Sequence, residues 1–150
     1  MAEFLETTVD KFIFRVAMDR LYSPDGVWVL ESGDARVRVG ISDYVQQRSG
    51  DAAFVHLELQ GTVLARGDEL AELETIKATL GVISPLAGAI VEVNAALDLS
   101  PENINQDPYG KGWLALIEST QWQTDRESML DPSAYSKLIQ AQAKAEMESS

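Results

Sequence analysis

Glu74-Thr75-Ile76-Lys77-Ala78 follows an apolar, strand-like segment, and Gly88, eleven residues beyond Lys77, opens a second such run, Gly88-Ala89-Ile90-Val91-Glu92-Val93-Asn94. The spacing predicts a β-hairpin with Lys77 at its tip. A lysine projecting from a rigid sheet is the arrangement in which a carrier domain presents a swinging prosthetic group. This reading sets the fold, and the rest of the chain is consistent with it.

Short alternating segments surround the lysine. Ala35, Val37 and Val39 alternate with Arg36 and Arg38, and Val55, Leu57 and Leu59 alternate with Phe54, His56 and Glu58, the period of half-buried strands. Further strands are predicted near Val27–Leu30, Thr62–Ala65, Leu70–Thr75, Ile90–Val93 and Trp113–Ile117. Turn residues separate them at Ser32-Gly33-Asp34, Ser49-Gly50-Asp51 and Arg66-Gly67-Asp68. Regular short strands of this kind predict an all-β sandwich or barrel.

Helices are few. Ser42-Asp43-Tyr44-Val45-Gln46-Gln47-Arg48 starts on a cap and closes before Gly50, and Ser100-Pro101-Glu102-Asn103 reads as a cap with proline at the first helical position. Asp131-Pro132 opens a C-terminal helix with Ala134, Tyr135, Leu138 and Ile139 on one stripe, and its end, from Ala141 to Ser150, is expected to fray. A faint echo relates Gly61-Thr62-Val63 with Leu70–Glu74 to Gly88-Ala89-Ile90 with Leu114–Glu118, and Lys77 falls between the copies.

Composition narrows the chemistry. With 150 residues and 45% hydrophobic content, the chain is large enough to bury a real core. It contains no cysteine and one histidine, His56, so disulfides, thiolate nucleophiles and thiolate metal sites are excluded, and metal catalysis is not expected. A net charge of −12 argues against nucleic acid and fits partners with electropositive docking surfaces. No apolar run approaches the ~20 residues of a membrane span, and Met1 to Asp10 carry Glu3, Glu6 and Asp10 without a basic residue, so the expected location is cytoplasmic.

A lysine selected for enzymatic acylation must be exposed, fixed in backbone conformation and marked by its surroundings. A tight hairpin provides all three, and tethering raises the concentration of the arm at docked partner sites. At this point the chain resembles the lipoyl-carrying H proteins of the glycine cleavage system. Glu74-Thr75-Ile76-Lys77-Ala78 is similar to that family's Glu-Ser-Val-Lys-Ala box, and Ser84 to Asn94 to the strand that follows it. Asn103-Ile104-Asn105-Gln106-Asp107-Pro108-Tyr109-Gly110-Lys111-Gly112-Trp113-Leu114 resembles Val-Asn-Asp-Pro-Tyr-Gly-Glu-Gly-Trp-Leu, and Val39 to Gln46 resembles Val-Gly-Ile-Thr-Asp-Tyr-Ala-Gln. The likeness runs in register from about Tyr22 to Trp122.

The resemblance implies a barrel-sandwich hybrid and no catalytic residues in the protein itself. Lys77 is expected to hold lipoate in amide linkage, with Glu74 and Gly88 read by the lipoylating enzyme, a lipoate ligase or lipoyl synthase system. The dithiolane would accept an aminomethyl group from glycine decarboxylase, surrender it at the aminomethyltransferase and be reoxidised by dihydrolipoyl dehydrogenase. Glu74 supplies a negative determinant beside its target, and Gly88 permits a tight backbone return. A monomer is expected, with a carrier domain over 1–123 that includes an N-terminal extension, and a helical tail over 124–150.

His56 reads as a packed or hydrogen-bonded strand residue, Trp28, Trp113 and Trp122 as core and sheet cover, and Asp107 to Gly112 as turn chemistry. Three departures mark a divergent member. Gly26-Val27-Trp28 stands where the family has His-x-Trp, Thr79-Leu80-Gly81-Val82-Ile83 is more apolar than the usual continuation, and the chain from Thr124 onward extends past the resemblance. Two alternatives stay open: a lipoate-binding protein of a heterodisulfide-reductase-like sulfur oxidation pathway, and an unmodified H-like module or lipoate relay. Ile76 and Ala78 flank the lysine where biotin carriers have methionine, which disfavours biotin.

Overall fold

Three antiparallel sheets enclose one apolar core in the computed structural model, which describes residues 3–149. The largest sheet has six strands in the order β3 (Leu21–Tyr22), β4 (Val27–Glu31), β5 (Arg36–Ile41), β11 (Ala115–Ser119), β10 (Gly88–Val93) and β7 (Val63–Leu64). A second sheet pairs β6 (Ala52–Leu57), β8 (Glu69–Thr75) and β9 (Thr79–Ile83), and β1 (Phe4–Val9) pairs with β2 (Phe12–Ala17) in a separate hairpin. Helices α1 (Asp43–Ser49), α2 (Asn103–Gln106), α3 (Trp122–Asp125) and α4 (Pro132–Glu148) fill in around the sheets. This is the expected all-β barrel-sandwich with short helices and a C-terminal helix.

Alternation builds the core. Val37 and Val39 of β5 point inward beside Val27 and Val29 of β4 and Ala115 and Ile117 of β11, while Arg36 and Glu118 face outward and pair at 3.9 Å. Leu70, Leu73 and Val82 close the core from the smaller sheet. The turn glycines Gly33, Gly50 and Gly67 all adopt positive φ, as their sequence contexts predict.

Some details differ from the sequence pattern. Ala35 sits in the turn at φ 61° rather than in a strand, and β6 ends at Leu57, which leaves Leu59 78% exposed. Helix α2 begins at Asn103, two residues beyond Pro101, without a side-chain cap. On α4 the buried stripe is Tyr135, Ile139 and Ala143, with Ala134 exposed, and regular helix continues to Glu148. Asp131 caps it by accepting from Ala134 N at 2.8 Å, with Pro132 in the first turn. Met1, Ala2 and Ser150, at the limits of the two predicted segments, lie outside the described residues.

The β1–β2 hairpin is absent from the sequence pattern. It turns through Asp10 and Lys11, with Asp10 at φ 56°, a conformation aspartate tolerates better than most residues. Val9, Phe14 and Val16 enter the core, and Thr7 is buried against α4, where its hydroxyl hydrogen-bonds Ser136.

Four tyrosines tie these elements together. Tyr22 and Tyr135 stack with centroids 4.4 Å apart, Tyr22 OH donates to Ala17 O at 2.7 Å, and the hydroxyls of Tyr135 and Ser42 lie 2.6 Å apart. Tyr109 OH donates to Arg15 O at 2.6 Å. Burial raises the pKa of Tyr22 and Tyr135 and pushes Tyr109 up to about 12, while Tyr44 is raised by burial and by nearby Glu146. The folded state therefore retains these phenolic protons after the unfolded chain, titrating near the ordinary value of 10.0, has lost them. Stability is expected to be level below about pH 10 and to fall as pH rises toward about 12, by at most roughly 1.4 kcal/mol per pH unit per tyrosine. Thermal melts across this range, followed with tyrosinate absorbance, check the prediction; a melting temperature indifferent to pH above 10 would contradict it.

Candidate functional site

Lys77 lies exposed in the turn joining β8 to β9, at a hairpin tip as expected, but the strand that returns from it is β9 (Thr79–Ile83), which the sequence pattern does not mark, and not the run that opens at Gly88. Strand pairing brings Glu74 opposite Thr79 and Leu73 opposite Leu80, and the loop closes with Thr75 N donating to Ala78 O at 2.8 Å. The Thr75 hydroxyl does the local work. Its Oγ1 accepts from Lys77 N at 3.2 Å and Ala78 N at 3.1 Å, and donates to Ala78 O at 3.1 Å. The turn is therefore held by one side chain as well as by the strands, a hydroxyl-centred turn of the kind serine and threonine favour.

Beneath the lysine, the end of α1 supports its stem. A Cβ placed on Gly50 would lie 3.4 Å from Lys77 Cδ and 3.5 Å from Cε, so the aliphatic chain rests against this glycine. Asn105 anchors that loop from α2. Its Nδ2 donates to Gly50 O at 2.9 Å and Gln46 Oε1 at 3.0 Å, and its Oδ1 accepts from Ala52 N at 2.9 Å. Asn105 falls within a segment already singled out by resemblance, but its link to the lysine loop is visible only in three dimensions. None of the ion pairs among the described residues involves Lys77, so its amine is not committed to a carboxylate.

Glu74 shares this sheet with Lys77, three residues before it on the same hairpin. Its Oε1 lies 3.2 Å from His56 Nε2, with both side chains partly in solvent. His56 is an exposed, hydrogen-bonded strand residue and stacks loosely on Phe54 at 6.5 Å. His56, Glu72 and Glu74 bring potential ligand atoms within 4.8 Å of one another on this exposed face.

Gly88 is elsewhere. It begins β10 in the six-stranded sheet, buried between Ser119 of β11 and Leu64 of β7. The tight backbone return expected there is replaced by a close packing of strands. A Cβ at Gly88 would stand 2.2 Å from Glu118 O and 2.8 Å from Ile117 Cγ2. The structure thus joins Glu74 to the lysine hairpin and places Gly88 on the neighbouring sheet.

The remaining singled-out residues are architectural. Asp107 Oδ2 accepts from Lys111 N at 2.9 Å, and Asp107 O accepts from Gly110 N and Gly112 N. Trp28, fully buried, donates from Nε1 to Pro108 O at 3.0 Å, and Arg20 lies over the rings of Trp28 and Tyr109. Trp113 is half-buried under Arg38, and Trp122 reaches Glu31. Gly26 explains one departure noted above. It has φ 86°, and a Cβ would meet Val45 Cγ2 at 2.3 Å and Tyr135 OH at 2.9 Å, so this chain has no room for a histidine there.

A family model described as glycine cleavage H-protein matches residues 20–142. The chain is 38% identical over 128 residues to the glycine cleavage system H protein of Thermus thermophilus, an alignment covering 85% of this chain and 98% of that one. Against the H protein of Stenotrophomonas maltophilia the identity is 42% over 113 residues, covering 75% and 86%. The crystal structure of a glycine cleavage system H protein from Mycobacterium marinum superposes with a TM-score of 0.70 at 34% identity, covering 80% of this chain and 95% of that chain. The match reaches residue 142, so the likeness does not fade after Trp122 as expected; α3 and most of α4 lie inside it. Residues 3–19 and 143–149 lie outside it.

Proposed function

The chain belongs to the glycine cleavage H-protein family, and on that premise we propose that Lys77 is its lipoyl attachment site. The protein is a lipoyl carrier of the glycine cleavage system, a non-catalytic component that works with the other enzymes of that system. The relatives above all carry the glycine cleavage name, which favours this reading over the sulfur-oxidation and relay alternatives.

One observation carries the assignment: an exposed, ion-pair-free lysine in a turn whose geometry is held by Thr75 and whose stem is supported by Gly50. Acylation there would leave the sheet undisturbed, since Lys77 makes no side-chain hydrogen bond among the described residues. Bound lipoate supplies a dithiolane that opens and closes in group transfer. The protein's own contribution is positional: the turn fixes the origin of the arm, and the rigid hairpin limits the volume it searches. Its proposed partners are glycine decarboxylase, aminomethyltransferase and dihydrolipoyl dehydrogenase. Glu74 is proposed as the charge the lipoylating enzyme reads, and Gly88 as contributing through the backbone it sets in β10.

Intact mass and peptide mapping of protein from lipoate-replete cells are expected to show one lipoyl increment, on Lys77. The lipoylated protein, mixed with glycine decarboxylase and aminomethyltransferase, is expected to support glycine–bicarbonate exchange. A lipoylated protein inert in that assay would overturn the pathway, and an unmodified Lys77 would overturn the attachment site. Glu74→Gln removes the charge at almost constant shape. It is expected to slow lipoylation roughly tenfold, the equivalent of ~1.4 kcal/mol, with an unchanged melting temperature.

A further inference from the structure

We propose that His56, Glu72 and Glu74 form a binding site for a first-row divalent cation of the zinc class, and that the bound ion withdraws Glu74 from the lipoylating enzyme. The site stands on the outer face of the smaller sheet. Its effect on modification rests on Glu74 being the charge that enzyme reads. The ion acts as a modulator and takes no part in group transfer.

Strand register assembles the three side chains. His56 of β6 lies directly opposite Glu72 of β8, and Glu74 follows two residues on, on the same face. Val55 and Leu73, the alternate residues of the same strands, are buried, which fixes His56, Glu72 and Glu74 on the outside. All three therefore spring from one paired, core-backed segment, and only their side-chain torsions remain to be set. Their potential ligand atoms lie within 4.8 Å of one another. Two ligands of one tetrahedral zinc ion stand roughly 3.3–3.5 Å apart, given bonds of about 2.0–2.2 Å. His56 Nε2 already stands 3.2 Å from Glu74 Oε1, and rotation of the Glu72 side chain closes the rest of the triangle.

The charge around this triangle is one-sided. Glu69 folds its carboxylate over Gly81, the residue opposite Glu72 on β9, where a Cβ would stand 2.8 Å from Glu69 Oε2. Three carboxylates thus share the face with one imidazole. Among the described residues Glu69 and Glu72 enter no ion pair, and Glu74 pairs with His56 alone. Carboxylates held this close repel one another, and a divalent cation between them relieves the repulsion. One imidazole with carboxylates suits zinc and its neighbours, whereas calcium and magnesium, which take oxygen ligands, leave the imidazole unused. With its carboxylate on the ion, Glu74 no longer presents a free negative charge three residues before Lys77.

The chain has one histidine and no cysteine, so its imidazole NMR signals report this site alone. Zinc chloride titrated into the full, unlipoylated chain is expected to shift the His56 ring signals with one-to-one stoichiometry. Glu72→Gln and Glu74→Gln, at positions outside the core, are each expected to weaken binding about tenfold without lowering the melting temperature. Zinc at about ten times the wild-type dissociation constant is then expected to slow lipoylation by a lipoate ligase about fivefold in the wild-type chain and about twofold in Glu72→Gln, each against its own zinc-free rate. Unmoved imidazole signals at ~1 mM zinc overturn the site. Equal affinity in the wild type and both variants reduces it to a lone surface histidine and overturns the triad. Equal slowing of the two chains places the effect on the ligase and overturns the modulation. Full-rate lipoylation of zinc-free Glu74→Gln overturns the reading of Glu74, while the imidazole titration still decides the ion site.

Discussion

Lys77→Arg is expected to bring lipoylation and glycine–bicarbonate exchange below detection while changing folding stability by no more than about 0.5 kcal/mol. The two halves of this result test different things. Arginine keeps the positive charge and much of the aliphatic stem, and its backbone suits the same turn, so the contact with Gly50 and the hydrogen bonds of Thr75 remain available. It offers no amine for acylation. Intact mass after incubation with a lipoate ligase, alongside thermal melts, gives both readings. A markedly lower melting temperature would show that the lysine contributes to packing and that the presentation described here is incorrect.

Gly88→Ala is expected to have the largest effect on stability, roughly 3 kcal/mol, or a fall of about 6–12 °C in melting temperature for a chain of this size. The obstruction is backbone, since the new methyl would stand 2.2 Å from Glu118 O, so β10 must separate from β11 to accommodate it. A flexible side chain could move away, but a paired strand cannot do so without losing its ladder. Denaturant unfolding of the variant measures the cost. Lipoylation of the fraction that remains folded then separates packing from recognition: near-normal modification assigns Gly88 to the sheet alone, and loss of modification in well-folded protein assigns it to the enzyme's reading of the surface. Wild-type stability would contradict the strand geometry.

The parts of this molecule that could be read in advance are those with local causes. The turn at Lys77 follows from the apolar run that ends at Thr75, although its return strand, β9, is not marked in the sequence pattern; α1 follows from the Ser42 cap, whose Oγ accepts from Val45 N, and α4 from Asp131 and Pro132. What escaped was non-local. β1 buries Thr7 rather than an apolar residue, because Ser136, 129 residues away, supplies a hydrogen bond, so the usual alternation of a strand is broken there. β2 exposes Phe12 and Ile13, which blurs the pattern from the other direction. Gly88 stands eleven residues from Lys77 in the chain, and only the pairing of β10 with β7 and β11 shows that it belongs to a different sheet. The approach of Asn105 to Gly50 and the meeting of residues 9–14 with 143–147 similarly depend on the closed fold.

Thr75 alters the meaning of the motif around the lysine. Its hydroxyl is engaged three times within the turn, twice as acceptor and once as donor, and is left with little capacity for a visiting enzyme. The related box quoted above has serine at this place, which retains the hydroxyl and discards the methyl. The residue two before the lysine is therefore better understood as a folding instruction than as an address label. A valine there would match threonine in shape and strand preference yet leave two amides unanswered, and the modifying enzyme would meet the right letters on a misshapen page.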